Sequence, residues 1–223
     1  MSEVYFSLDV ETDGPIPFFY SMRQIGLVAF TLTDGVIGTF TRKLQPFPNA
    51  QVDPDTLRWW TETEEKRALW EALTVGAEFW HDAMTECDRW IRTFEDRGKP
   101  VCCASPAGYD WVFFRCYMVL ALHAETPFQH RCWDARSHAM GILGKEYNSC
   151  GKPGIPQGWR PKDLPHTHDA LDDALEQAAQ FRNQMQASQA QKQAANAWIA
   201  AWPVLRMLFK HTELTAKYAR ENM

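Results

Sequence analysis

The chain has 223 residues, 45% of them hydrophobic, which suffices for one globular domain with a sizeable core. Its formal net charge of −5 argues against a protein that coats long duplex DNA by counterion release. It is compatible with acids that are neutralised by bound divalent cations.

No apolar run approaches the roughly 20 residues that span a bilayer. The opening Met-Ser-Glu-Val-Tyr-Phe lacks a basic region followed by an apolar one, so neither a membrane span nor a secretory leader is expected. The six cysteines (87, 102, 103, 116, 132 and 150) show no C-x-x-C spacing. They read as small buried hydrophobes of a reducing, cytoplasmic protein.

Residues 4–10 alternate, with Val4, Phe6, Leu8 and Val10 on one face of a strand and Ser7, Asp9 and Glu11 on the other. Thr12-Asp13-Gly14-Pro15 breaks that strand. Residues 24–32 read as a second strand, Asp34-Gly35 as a tight turn and 36–44 as a third, which makes an antiparallel meander. Asp53-Pro54 predicts a helix start, with Asp as N-cap and Pro at the first helical position.

The spacing of Phe79, Ala83, Cys87, Trp90, Ile91 and Phe94 predicts a helix over 77–94 with these residues on one buried stripe. Residues 101–104 form a short buried strand. A helix opened by Asp110 runs to about Leu122, and a fifth strand over 130–134 leads into a helix ending at Leu143. Asp134, near a strand end, is read as a supporting residue. The stretch 144–165 is rich in Gly and Pro and is loop-like, a candidate lid leading to His168. A helix from about Ala170 continues toward Gln191. One or two further helices, broken at Pro203, carry an apolar run from Trp198 to Phe209.

Two carboxylates side by side on a strand repel each other, and a cation between them relieves that repulsion. An Asp-x-Glu pair alone is usually a solvated edge, so the remaining acids matter. Asp110 stands in Gly-Tyr-Asp-Trp-Val-Phe-Phe, and Asp172 and Asp173 in His-Asp-Ala-Leu-Asp-Asp-Ala, which begins at His168. Asp-x-Glu, then Asp in an aromatic-rich helix, then His with Asp five positions on, resembles the DEDDh, or DnaQ-like, exonucleases from about Val4 to about Ala179. Many relatives carry Asn four residues before the second acid, where this chain has Pro106. Helical geometry does not separate Asp172 from Asp173; only the family spacing prefers Asp173. His166 is a rival to His168, with a spacing to Asp173 two residues too long.

The resemblance implies an α/β, ribonuclease-H-like fold: a mixed five-stranded sheet with a three-strand meander, flanked by helices. Residues 1–182 would form this domain, and residues 183–223 a helical extension packed on it or on a second subunit. It further implies a 3′-5′ exonuclease acting on single-stranded DNA or on 3′ overhangs. Asp9, Glu11, Asp110 and Asp173 would hold two Mg²⁺ or Mn²⁺ ions roughly 3.5–4 Å apart, and His168 would be the general base. Thr12 would contact the terminal nucleotide through its backbone. Phe18, Phe19 and Tyr20 are candidates to stack on bases, and Arg160 and Lys162 to touch phosphates. The alternatives are an exoribonuclease on the same site and, with less support because all five positions are filled, a non-catalytic nucleic-acid-binding module. The apolar tail makes a homodimer the expected assembly.

Overall fold

A computed structural model describes residues 2–164 and 166–221, with side chains as far as Trp202. Five strands form one mixed sheet in the order β3-β2-β1-β4-β5. They are β1 (Glu3–Thr12), β2 (Met22–Thr31), β3 (Gly35–Lys43), β4 (Lys99–Ala104) and β5 (Trp133–Asp134). β1 to β3 make the antiparallel meander, and β4 and β5 run parallel to β1. Six helices accompany them: α1 (Pro54–Trp60), α2 (Glu64–Ala72), α3 (Trp80–Arg92), α4 (Ala107–Leu122), α5 (Ala135–Leu143) and α6 (Ala170–Glu221).

The alternation in β1 orders the two sides of the sheet. Val4, Phe6, Leu8 and Val10 are buried in one core with Ala83, Met84, Cys87 and Ile91 of α3 and Phe113, Phe114, Tyr117 and Met118 of α4. On the opposite side the start of α6 closes down over β2. Gly26 is the reason it can: a Cβ there would lie 2.0 Å from the carbonyl oxygen of Ala170. Compact packing divides after Gln184, a second unit beginning at Met185.

Several expectations are corrected. α3 begins at Trp80 because the preceding backbone bonds sideways to the end of β3: Glu78 donates to the Lys43 carbonyl and Gln45 to the Glu78 carbonyl. Phe79 is therefore the N-cap, 48% exposed, and lies off the buried stripe, whereas Trp90 and Phe94 do pack against the core. Asp110 lies inside the first turn of α4, which starts at Ala107. β5 is only two residues long, because 128–131 turn back on themselves through a bond from Arg131 to the Phe128 carbonyl. Cys116 and Cys132 are half-buried rather than buried.

α2 escaped the sequence reading because none of its residues is buried, so it carries no apolar stripe; only the Thr63 cap and Glu64-Glu65 mark its start. The helix expected to break at Pro203 continues to Glu221. A missing N–H removes one rung, and the turns on either side hold the helical course. The part of the apolar tail from 203 to 209 has its side chains outside the described residues.

Candidate active site

Asp9 and Glu11 share a face of β1 at its C-terminal end, just before the pairing with β2 shifts register between Glu11 and Thr12. β4 is parallel to β1, so the helix that follows β4 starts at the same end of the sheet. This topology brings α4, and with it Asp110, to the strand carboxylates. Asp110 is 5% exposed, and its Oδ1 accepts the Val10 N–H at 3.3 Å. α4 has no side-chain cap of its own. Asp134 supplies one from β5: its Oδ2 accepts the Ala107 N–H at 3.0 Å, while its Oδ1 caps α5 by accepting the Ser137 N–H at 2.7 Å. The expected supporting role of Asp134 is thus a specific one, a brace for the helix that carries Asp110.

α6 delivers the third element. Asp169 caps it, its Oδ1 accepting from the Leu171 N–H and its Oδ2 from Gln24 Nε2 of β2 at 2.8 Å. Asp173, one turn in, is buried and accepts the Thr167 N–H at 3.0 Å. Asp172 turns outward, exposed, to the Thr167 hydroxyl. Ligand oxygens of Asp9, Glu11 and Asp173 all lie within 4.8 Å of one another; Asp110 stands beside this trio.

Burial is the first cause that pushes the carboxyls of Asp9 and Glu11 well above the usual carboxylate range, and the neighbouring acids push them further. Asp110 is raised to about 7, again chiefly by burial. The chain thus gathers carboxyls that resist ionising together, and Gln177 partly offsets this at Asp9, to which its Nε2 donates at 2.6 Å. Such an all-oxygen set fits a hard divalent cation.

The two histidines are separated by their surroundings. His166 Nδ1 lies 2.9 Å from Asp173 and 3.3 Å from Glu176, and the bond to Asp173 raises its pKa. His168 has a left-handed backbone, with φ of 60°. Its ring meets Trp59 edge-on, 4.8 Å between centroids, and lies 4.5 Å from the ring of His166. Burial, then the neighbouring His166, lowers its pKa. Both histidines also approach Asp173 closely enough to form a second potential ligand group.

Two cavities flank the acids. One, of about 340 Å³, is lined by Glu11, Thr12, Trp59, Trp60 and Tyr109. The other, of about 460 Å³, is lined by Asp9, Arg136, Asn148, Lys152, His166 and Gln177, among others. Thr12 is buried, its hydroxyl engaged with Tyr109 Oη at 2.6 Å and the Gly14 carbonyl at 3.0 Å. Phe18 and Phe19 are 53% and 71% exposed, whereas the ring of Tyr20 packs over Gly14. Arg160 and Lys162 are exposed and line neither cavity.

Sequence reasoning missed Trp59, Trp60, Tyr109, Arg136, Lys152 and Gln177. Gln177 alone carried a signal, since it follows Asp173 by four residues and so shares its helical face. The Trp pair reaches the cavity beside Glu11 on α1, whose cap residue Asp53 donates its N–H to the Asp13 carbonyl just beyond β1.

Comparison with known proteins shows the family and the fold. A family profile described as a 3′-5′ exoribonuclease Rv2179c-like domain matches residues 4–185. The 3′-5′ DNA exonuclease Cap18 of Escherichia coli is 30% identical over 182 residues, 81% of this chain and 90% of the relative. Among solved structures, the nuclease domain of 3′hExo, a DEDDh family member bound to rAMP, superposes with a TM-score of 0.59 at 15% identity, over 83% of this chain and 92% of that one. Exonuclease I of E. coli in complex with a dA16 oligonucleotide gives 0.54 at 16% identity, over 81% of this chain and 40% of that one. The fold is that of the DEDDh exonucleases, a ribonuclease-H-like sheet with flanking helices.

Proposed function

Because the chain belongs to the family of Rv2179c-like 3′-5′ exoribonuclease domains and is a 3′-5′ exonuclease, we propose that it shortens single-stranded DNA, releasing nucleoside 5′-monophosphates. The observation that carries the site assignment is the convergence of Asp9, Glu11 and Asp173, from two elements far apart in sequence, within 4.8 Å. With Asp110 they are the residues to hold two Mg²⁺ or Mn²⁺ ions. When bound, such ions acidify an attacking water and offset charge on the departing 3′-oxygen.

The chain's own groups do the rest. His168 takes the proton from the water. Its lowered pKa keeps it neutral, and so able to accept, near pH 7. His166 is engaged by Asp173 and Glu176 and serves to orient Asp173. The terminal nucleoside fits the cavity walled by Trp59, Trp60 and Tyr109, where Thr12 contributes through its backbone, its hydroxyl being engaged elsewhere. Phe18 and Phe19 offer exposed rings to bases further along, and Tyr20 is held back as packing. Arg160 and Lys162, on the loop leading to His168, serve a longer strand.

DNA as the substrate is supported by the DNA exonuclease among the relatives; the family description favours RNA as the second reading. A cytoplasmic location and a homodimer belong to the same proposal. Six free thiols support the first. Trp198, Ile199 and Trp202, at 65%, 71% and 53% exposure, support the second, and a light-scattering mass near the 25.7 kDa of one chain would refute it. Turnover of 3′-labelled and 5′-labelled single-stranded DNA and RNA, with Mg²⁺, Mn²⁺ or EDTA, tests the whole. Mononucleotides released from the 3′ label, faster from DNA and abolished by EDTA, are expected. Faster release from RNA would exchange the two readings, and EDTA-resistant cleavage would remove the metal site.

A further inference from the structure

The cavity on the Asp9 side differs in kind from its neighbour across the acids. The Glu11 side is walled by indole and phenol rings, a surface for a nucleoside. The Asp9 side presents Arg136, Lys152, Asn148 and Gln177, cations and amides that suit an anion. In a net-acidic protein, two cations beside the half-buried Asp9 call for a reason.

Lys152 and His166 already have a partner in Glu176, at 2.5 and 3.3 Å. Among the described residues no carboxylate lies within 4 Å of Arg136. Its position is nonetheless built. It stands in the first turn of α5, anchored below by the Asp134 cap. Its guanidinium lies 3.5 Å from where a Cβ of Gly151 would stand and 5.9 Å from the ring centre of Tyr147. An added Cβ at Gly151 would meet it at ordinary van der Waals distance. A planar guanidinium that faces this cavity and lacks a carboxylate partner is matched to the oxygens of a phosphate.

We infer that Arg136, assisted by Lys152, binds the backbone phosphate next upstream of the bond being cut. The inference rests on the nuclease reading above. The cleaved phosphodiester lies over Asp9, Glu11 and Asp173, the terminal nucleoside occupies the ring-walled cavity, and the continuing strand leaves through the Asp9-side cavity. Its first phosphate meets Arg136 there. Arg136 thus favours strands over single-nucleoside esters, without taking part in bond cleavage.

The test compares two substrates. A single-stranded oligonucleotide has the upstream phosphate; an aryl ester of thymidine 5′-phosphate does not. Arg136→Ala should lower kcat/KM on the oligonucleotide about tenfold more than on the ester, the scale of one lost hydrogen-bonded charge contact. The dependence of log(kcat/KM) on log salt should become shallower by about 0.7, the share of one phosphate on a single strand. Arg136→Lys should retain most of that slope. An equal loss on both substrates, or an unchanged salt slope, would overturn the inference while the nuclease reading stood. Failure of the wild-type protein to cleave either substrate would instead overturn the nuclease reading, and this inference with it.

Discussion

Gly26→Ala probes the contact that seats the α6 carboxylate against the strand carboxylates. Gly26 pairs with Asp9 across the β1–β2 ladder. An added methyl carbon would stand 2.0 Å from the Ala170 oxygen, 2.3 Å from its carbonyl carbon and 2.6 Å from the Leu171 nitrogen. All three are backbone atoms, so no rotamer change relieves the clash, and the gap must open by more than about 1 Å to reach ordinary contact. β2 is held on both edges by β1 and β3, so the start of α6 moves. Asp173 lies three residues beyond Ala170, within a turn, and moves with it.

Overpacking of this kind costs about 1–3 kcal/mol. For a chain of this size about 2 kcal/mol lowers Tm by roughly 4–8 °C. A displacement near 1 Å within a catalytic constellation costs on the order of 10²-fold in rate. Thermal melts of the metal-free protein and release of a 3′-terminal label, both beside Gly108→Ala, measure the two effects. Gly108 is an exposed helical glycine with nothing within 4 Å of an added Cβ, so its variant should be neutral or slightly stabilised. Gly26→Ala with wild-type Tm and turnover would refute the claim that this close approach positions Asp173.

Asp9→Ala should abolish cleavage yet hold or raise the Tm of the metal-free protein, because it relieves the repulsion that helps raise the Asp9 pKa; full activity would remove Asp9 from the metal site. The metal-free protein should also lose stability as pH rises. Asp110 sits near 7 when folded against an ordinary 3.8. Its contribution is therefore complete below about pH 4 and is lost as pH climbs through about 7. Melts should show this fall between about pH 4 and about pH 7, and Mg²⁺ at pH 8 should reverse it. His168→Ala should lower the rate about 10²–10⁴-fold while isothermal titration shows metal binding intact, with His166→Ala costing less. The reverse order would make His166 the base. Asp173→Asn should be inactive and Asp172→Asn active, in keeping with their buried and exposed positions; an inactive Asp172→Asn would contradict the site.

Much of this protein is legible along the chain because its signals are local. The alternation of Val4, Phe6, Leu8 and Val10 separates a core face from a carboxylate face using only the two-residue period of a strand. Asp53-Pro54 marks α1 through the chemistry of a helix start, and the side chain of Asp53 does accept the Thr56 N–H. The spacing of His168 and Asp173 places both near the start of one helix.

What tertiary structure alone decided depends on atoms remote in sequence. Helical geometry leaves Asp172 and Asp173 equivalent until α6 is laid over Gly26, which turns one outward and the other to Asp9 and Glu11. Asp134 is one acid among many until β5 is set beside β4, where its second oxygen can reach the Ala107 N–H and brace the helix of Asp110. Of the cations in the Gly- and Pro-rich loop, composition cannot choose; the fold turns Lys152 to the Asp9-side cavity, with Arg136 of α5 beside it, and leaves Arg160 and Lys162 outside. Local periodicity sets which face a side chain takes on its own element. Which element that face then meets follows from strand order, parallel pairing and the few positions, such as Gly26, where two backbones can touch.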